Sequence, residues 1–564
     1  MRPLIQEVTP PPSPESLVEQ LQGEPGVVLL RSALFDSPQA RYSLVTARPF
    51  LTLRSFGSRC ELRSAADVHF QFGNPWHVLD GLMARYELLE EVDLPFPLGG
   101  CFGYWGYDLK NFVEPKLSPR AVNDLELPDC QVGFYGSLVV FDHRLGKAWI
   151  VSTGLEVDGS RDESVRQRQL DFWRERLSSA GADAQAADGA GRSPRQEALN
   201  PQSAIRNPQS AIQAGLLTSA AAMSWPNAPL DERTSSHSRL STLGPQLPSI
   251  TSNLSRAGFI AMVERAQRYI RAGDIYQVNL AQRLAARTAW KGWECYHSLL
   301  ERSPAPFAAY LDCGEFQVAS SSPELFLRLS GSHIQTRPIK GTRPRDADPT
   351  RDAQLTCELQ TSPKEMAELV MITDLLRNDL GRVCEYGSVQ VPELARLERY
   401  PQVQHLVSTV DGRLRPGVTH FAAFASCFPG GSVTGAPKIR AMEIIDELEP
   451  ITRGPYTGAL GYLGFNRESQ LSIVIRTTIC RGTMAYFHVG AGIVADSVPT
   501  AEYDETLAKA RGFLAALECR GRPGPVRTQP GPAPLLISVL PEPSRPVALG
   551  EAVEGGIKPT DSHL

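Results

Sequence analysis

The chain has no apolar run long enough to span a bilayer. Its first residues, Met1-Arg2-Pro3-Leu4-Ile5 leading into Pro10-Pro11-Pro12, lack the apolar core of a secretion signal. Runs of like charge are missing too. Against 57 Lys and Arg stand 62 Asp and Glu, a formal net charge of −5, so no basic arm is offered to nucleic acid. The ten cysteines include no C-x-x-C pair. That removes the usual zinc and dithiol motifs and leaves free thiols in a reducing compartment as the simplest account. The expected setting is the cytoplasm, with no nucleic-acid and no membrane partner.

Aromatic residues are scarce in one internal stretch: from 178 to 250 the only one is Trp225, among alanine, serine, glutamine, proline and glycine. Such a segment buries too little apolar surface to offset its ordering entropy. It also holds a tandem heptad, Asn200-Pro201-Gln202-Ser203-Ala204-Ile205-Arg206 followed by Asn207-Pro208-Gln209-Ser210-Ala211-Ile212-Gln213, too short for a stacking repeat. The tail from Gly521 has nine prolines and six glycines in 44 residues. The expected organisation is an N-terminal folded region over 15–177, a low-complexity linker over 178–251, a second folded region over 252–520 and a disordered tail over 521–564.

Within the folded regions, Val27-Val28-Leu29-Leu30, the run Gly133 to Phe141 and the run Lys147 to Ser152 read as strands. Ser255 can cap a helix whose apolar residues Phe259, Met262, Val263, Ala266 and Ile270 follow a 3.6-residue period, with Gly273 just past its end. Strands and helices mix without the alternation of a doubly wound sheet. Pattern alone therefore indicates a large mixed α+β architecture.

Chemistry is concentrated in a few segments. Ser362-Pro363-Lys364-Glu365 carries a serine N-cap, proline at the first helical position and a capping-box glutamate, and the helix it starts presents Glu365 and Glu368 on one face. Near the C-terminus Glu502 and Glu505 repeat that spacing, with Lys509 four residues beyond Glu505, where an intrahelical ion pair is the plain alternative. Two glutamate-bearing helices would suit Mg²⁺, which takes oxygen ligands and keeps several waters. Phe428 to Lys438 is a glycine-rich loop entering a helix at Pro437. Ala436 and Pro437 separate Gly435 from Lys438, and this excludes a nucleotide P-loop, although the loop amides offer an anion site. Arg476 stands in Leu471 to Ile479, an apolar run that reads as a substantially buried strand. Buried there, its guanidinium needs an anion, either a structural carboxylate or one from a substrate.

These blocks, in this order, resemble the chorismate-utilising enzyme family. The resemblance runs from about 255 to 515. It takes in Gly273-Asp274-Ile275-Tyr276-Gln277-Val278-Asn279, Ser322-Pro323-Glu324, Pro338-Ile339-Lys340-Gly341-Thr342, the Glu365/Glu368 helix, His405-Leu406-Val407-Ser408, the glycine loop, Arg453-Gly454-Pro455-Tyr456, Arg476-Thr477, Gly490-Ala491-Gly492 and the Glu502/Glu505 helix. Upstream, Gly99 to Asp108 and Phe141-Asp142-His143 extend it. The fold so implied is an α/β sandwich, two large antiparallel sheets packed together with helices outside and the active site in a cleft. Glu368 and Glu505 are implied as Mg²⁺ ligands, supported by Glu502. Tyr456, Arg476, Lys509 and the amides of Gly490, Ala491 and Gly492 are implied to bind chorismate carboxylates, and Ser432 and His405 to line its ring.

Lys340 separates branches of the family. Members that aminate chorismate at C2 and release pyruvate, the anthranilate synthases, have alanine there. The lysine is shared with the aminodeoxychorismate-forming branch, and this implies attack of the Lys340 amine at C2, loss of the C4 hydroxyl with Glu324 as acid and base, and resolution by ammonia at C4. The attacking amine must be neutral, so Lys340 is expected to be substantially buried. No glutaminase cysteine motif is evident, so ammonia is expected from a separate glutamine amidotransferase subunit. Where the family's tryptophan-feedback element carries glutamate, Leu29-Leu30-Arg31-Ser32 has arginine, which argues against feedback by tryptophan.

Overall fold

A computed structural model describes residues 2–32, 41–88, 94–117, 120–189, 250–400 and 402–518. Two large sheets, antiparallel in every ladder, dominate it. The first runs Leu4–Val8, Lys147–Ser152, Ser137–Asp142, Tyr42–Thr46, Val28–Arg31, Phe307–Asp312, Gln317–Ser322, Thr477–Arg481, Met484–Ile493, Gln277–Arg287 and Ile250–Ser252, with Gly435–Ala436 pairing on Gln277–Arg287. The second runs Ile339–Pro344, Val403–Arg413, His333–Arg337, Leu325–Ser330, Glu468–Ile473, Ala459–Gly464, Gly100–Trp105, Cys130–Tyr135, Leu51–Phe56, Arg59–Ser64 and Val68–Phe72, with Gln390–Arg399 on Val403–Arg413. Leu138, Val140, Leu311 and Val318 of the first sheet share one buried cluster with Leu53, Phe102, Val132 and Leu327 of the second.

Both sheets draw strands from before and after the alanine-rich segment. Val28–Arg31 pairs with Phe307–Asp312, and Gly100–Trp105 with Ala459–Gly464. The run from Gly133 to Phe141 is not one strand: it breaks at Gly136, where the chain leaves the second sheet for the first. The expected linker also begins later than composition indicates, because the helix Glu163–Gly189 continues through Ala180, Ala182, Ala184, Ala186 and Ala187, residues of the highest helix propensity. The rest of that segment up to residue 249, and the tail expected from 521, lie outside the described residues. Among the described residues no helix is long and apolar enough to cross a membrane, and the cysteines are unpaired.

Local signals set the element ends. Ser255 Oγ accepts from Gly258 N at 3.0 Å to start Arg256–Ala272, and Gly273 closes it at φ +82°, a conformation that suits glycine. Ser362 Oγ accepts from Glu365 N to start Pro363–Gly381.

One buried ion pair ties the elements around the later cleft. Arg453 and Glu449, with side chains 2% and 5% exposed, meet through Nε to Oε2 at 2.8 Å and Nη2 to Oε1 at 2.7 Å. The guanidinium also donates to Val433 O at 3.1 Å and Asn279 O at 2.7 Å, and Glu449 Oε1 accepts from Ala281 N at 2.9 Å. Removing one partner strands the other's charge in the interior. Arg453→Met should therefore cost about 3–5 kcal/mol in urea unfolding, and the double variant Arg453→Met/Glu449→Leu should recover a large part of it.

Candidate active site

Lys340 lies on the strand Ile339–Pro344, whose register with Val403–Arg413 slips between Lys340 and Thr342. Gly341 occupies the slip at φ +70°, and a Cβ there would stand 2.8 Å from Leu359 Cδ1. A bulge of this kind redirects the neighbouring side chain. The Lys340 side chain is 18% exposed, and its Nζ is 3.9 Å from Glu368 Oε2. On its other side is Gly492, whose missing Cβ would be 3.7 Å from Nζ. The amine thus lies between the helix Pro363–Gly381 and the strand Met484–Ile493.

Glu324 sits where the chain leaves the strand Gln317–Ser322 in one sheet for Leu325–Ser330 in the other. It is 6% exposed. Burial pushes its pKa from an ordinary 4.5 to about 7, while a hydrogen bond with Ser432 and the charge of Lys340 pull the other way. A carboxyl poised near neutrality can both give and take a proton. Arg476 occupies the neighbouring crossover, between Glu468–Ile473 and Thr477–Arg481. It is therefore not in a strand, as its apolar surroundings suggest, but at a bend with φ +49°, a conformation non-glycine residues adopt at a cost. The two crossovers are bonded to their neighbours, Ile473 N to Glu324 O and Ser321 N to Arg476 O, each at 3.1 Å.

The strand Met484–Ile493 forms the wall opposite. Asn279 N donates to Thr434 O and Ala281 N to Glu449, so Gly492 and Gly490, facing them in the register, are non-hydrogen-bonded pairs. Their amides turn away from Gln277–Arg287, and the pairing with Thr477–Arg481 ends at Phe487, leaving that edge open. Ala491 differs: it alternates with them, so its amide is spent in the ladder with Leu280. Gly490 also makes room for Tyr456, since a Cβ would stand 2.8 Å from its Oη. Tyr456 stacks on His488 at 5.0 Å, and burial pushes its pKa to about 12, so its hydroxyl keeps its proton.

The two glutamate helices lie near enough for the charges of Glu368 and Glu505 to interact. Burial raises Glu368, and the charges of Glu365 and Glu505 add to this, while Lys340 and Lys364 oppose it. Burial likewise raises Glu502. Burial would also raise Glu505, but Lys509, Lys364 and Lys340 outweigh it and leave Glu505 low. Lys509 makes the intrahelical pair with Glu505 at 2.8 Å and donates to Gly490 O at 2.9 Å. Among the described residues no three such ligands stand close enough to hold a metal unaided. Arg476, Glu505 and Lys509 line a cavity of about 310 Å³. No side-chain partner engages the Arg476 guanidinium among the described residues. His405, in Val403–Arg413, shares a hydrogen bond of 2.8 Å with Thr342 Oγ1, and burial together with Arg476 holds it near pKa 4, a neutral ring.

Gln277 carries no assigned role in the sequence reading, yet it is fully buried with neither side-chain amide atom bonded among the described residues. Its Nε2 would be 3.1 Å from a Cβ on Gly492, the same point that Lys340 Nζ approaches. The signal in sequence is slight, a glutamine leading the mixed strand Val278 to Leu284. Apart from the cleft, Leu30, Arg31 and Ser32 line a second cavity of about 250 Å³, where Arg31 is paired with Glu15.

The arrangement is that of an enzyme cleft for a small polyanion: cationic and amide donors on one wall, paired carboxylates on another and a buried acid beside an amine. The chain belongs to the chorismate-binding enzyme family, whose profile, described as chorismate binding enzyme, matches residues 31–515. It is 36% identical over 510 residues to anthranilate synthase component 1 of Acetivibrio thermocellus, covering 90% of this chain and 93% of that one. It is 37% identical over 511 residues to aminodeoxychorismate synthase component 1 of Klebsiella aerogenes, covering 90% and 97%. The crystal structure of anthranilate synthase component I from Streptococcus pneumoniae superposes with a TM-score of 0.64 at 28% identity, covering 85% of this chain and 93% of that one.

The elevated Glu324 has a thermodynamic consequence. The folded protein holds a proton that the unfolded chain releases above about pH 4.5, so this stabilisation is complete at low pH and is lost as pH climbs through about 7. Between those limits wild-type stability should fall relative to Glu324→Gln by up to ~1.4 kcal/mol per pH unit. Urea unfolding of both proteins from pH 5 to 8 measures it, and parallel curves would contradict the assignment.

Proposed function

We propose that this chain aminates chorismate at C4, giving 4-amino-4-deoxychorismate, and that Lys340 is the covalent catalyst. The observation that carries the reading is the pairing of a largely buried lysine amine with a buried carboxyl poised near pH 7. Overall similarity does not choose between the branches, since relatives of both kinds match almost equally. The lysine is the feature that favours C4.

In this reading the Arg476 guanidinium and the Gly490 and Gly492 amides grip one substrate carboxylate, and Tyr456 contributes its protonated hydroxyl. Ser432 and neutral His405 line the ring. Once deprotonated, the Lys340 amine bonds to C2, the ring double bonds shift, and the C4–O bond breaks. Glu324 gives its proton to the departing hydroxyl, which leaves as water. Ammonia then bonds to C4, the electrons shift back, and the C2–N bond to Lys340 breaks. Glu324, now a carboxylate, takes up the proton released by ammonia. Gln277, buried and unbonded next to Lys340, holds the incoming groups in line.

The carboxylates fit Mg²⁺. Burial and mutual repulsion make Glu368 and Glu502 reluctant to ionise, a cost that a divalent cation offsets. Glu368 and Glu505 would hold the ion with Glu502 behind them, leaving its other positions to water and substrate oxygen. Bound there, it would neutralise a substrate carboxylate. Ammonia would come from a separate glutamine amidotransferase in the cytoplasm, feeding a product that serves para-aminobenzoate and folate synthesis.

Incubated with chorismate, Mg²⁺ and an ammonium salt, the purified protein should give an aminated product that keeps its enolpyruvyl group. Fluorescent anthranilate with free pyruvate would assign it to C2 amination instead. Lys340→Ala should lower turnover at least about a thousandfold. In thermal unfolding, Mg²⁺ should raise the midpoint more with chorismate present than alone, and Glu368→Gln should abolish that difference.

A further inference from the structure

Lys438 is not absorbed by the site as drawn. It follows the glycine loop where a nucleotide-binding lysine would be sought, yet its side chain is only 10% exposed. All three of its donors are engaged, with Asp379 Oδ2 at 2.7 Å, Cys427 O at 3.0 Å and Pro429 O at 3.1 Å. The two carbonyls bracket the start of the loop that carries Ser432. Asp379, 1% exposed, lies eleven residues after Glu368 on the same helix, about three turns on and nearly the same stripe. The loop is tightly held elsewhere too. A Cβ on Gly431 would stand 2.6 Å from Leu375 Cδ2 of that helix, Gly435–Ala436 pairs with Gln277–Val278, and Arg453 holds Val433 O.

We propose that Lys438 is a positioning residue: it locks the start of the glycine loop to the helix bearing Glu368, and so holds Ser432 against Glu324 on the far side of the cleft. This rests on the reading of Glu324 as the acid and base of the site. The loop needs such a lock because its residues from Phe428 to Thr434 form no sheet ladder and only a single 3₁₀ turn, Gly431–Val433. An ammonium with three donors reaches two carbonyls and a carboxylate at once, which a neutral side chain of equal length does not.

The test compares Lys438→Met, Ser432→Ala and their combination, following chorismate consumption whatever the product. Lys438→Met should lower kcat about tenfold or more with KM changed less than about threefold, because misplacement acts on the reacting geometry. The combined variant should lose no more than the larger single one. Ser432 lowers the Glu324 pKa, so both single variants should shift the pH dependence of kcat upward. Adding Asp379→Asn to Lys438→Met should restore the urea midpoint without restoring kcat. A readout that needs no turnover is the stability of each background against its Glu324→Gln counterpart, in which the pH window of lost stability should move upward with Lys438→Met. Multiplying losses in the combined variant, kcat returning together with stability, or an unmoved pH window would each overturn the assignment. A wild-type protein that consumes no chorismate would instead count against the proposed function, leaving the pH-window result to decide the role of Lys438.

Discussion

The cleft depends on the buried pair of Arg453 and Glu449. Two charges taken this far from water are tolerable only because every acceptor and donor is used. That completeness is also what fixes the neighbours. Glu449 takes the amide of Ala281 and Arg453 the carbonyl of Asn279, so the strand Gln277–Arg287 has those groups turned from its partner. The alternation of an antiparallel ladder then leaves the amides of Gly490 and Gly492 facing the open side. A salt bridge behind the site thereby decides which backbone donors the site presents.

Glu324 and Arg476 gain their character from topology. Each stands where the chain passes from one sheet to the other, so neither lies in a regular ladder, and each is flanked by strands that bury it from two sides. For the carboxyl the result is a pKa near neutrality. For the arginine it is a backbone at φ +49° and a guanidinium facing a cavity shared with Glu505 and Lys509. Lys340 stands at a bulge, and its charge acts on both Glu324 and Glu505. Each of the three side chains thus owes its place to an irregular point of a regular sheet.

Much of this was legible in sequence where the signal is local. The caps at Ser255 and Ser362, the glycine stop at Gly273 and the Glu365/Glu368 and Glu502/Glu505 spacings follow from short-range rules that the tertiary fold left intact. Non-local facts were harder to read. The break at Gly136 and the bend at Arg476 interrupt runs that are apolar throughout, because a residue buried between two sheets looks alike whichever sheet it joins. The alternation that spends the Ala491 amide but frees those on either side depends on the partner strand. The Gln277 side-chain amide has no partner among the described residues, and a missing bond leaves no trace in composition. The helix extending to Gly189 shows the reverse error, in which a low-complexity segment rich in alanine still has the propensity to continue a helix already begun.

The central claim is that the Lys340 amine bonds covalently to the substrate ring. Intact-protein and peptide mass spectrometry, on enzyme quenched after mixing with chorismate and Mg²⁺ in the absence of ammonia, tests it most directly. The account predicts an added mass of chorismate less one water, located on the peptide containing Lys340, which disappears when ammonium is supplied. Turnover to the C4-aminated product with no adduct on Lys340 at any quench time would contradict it.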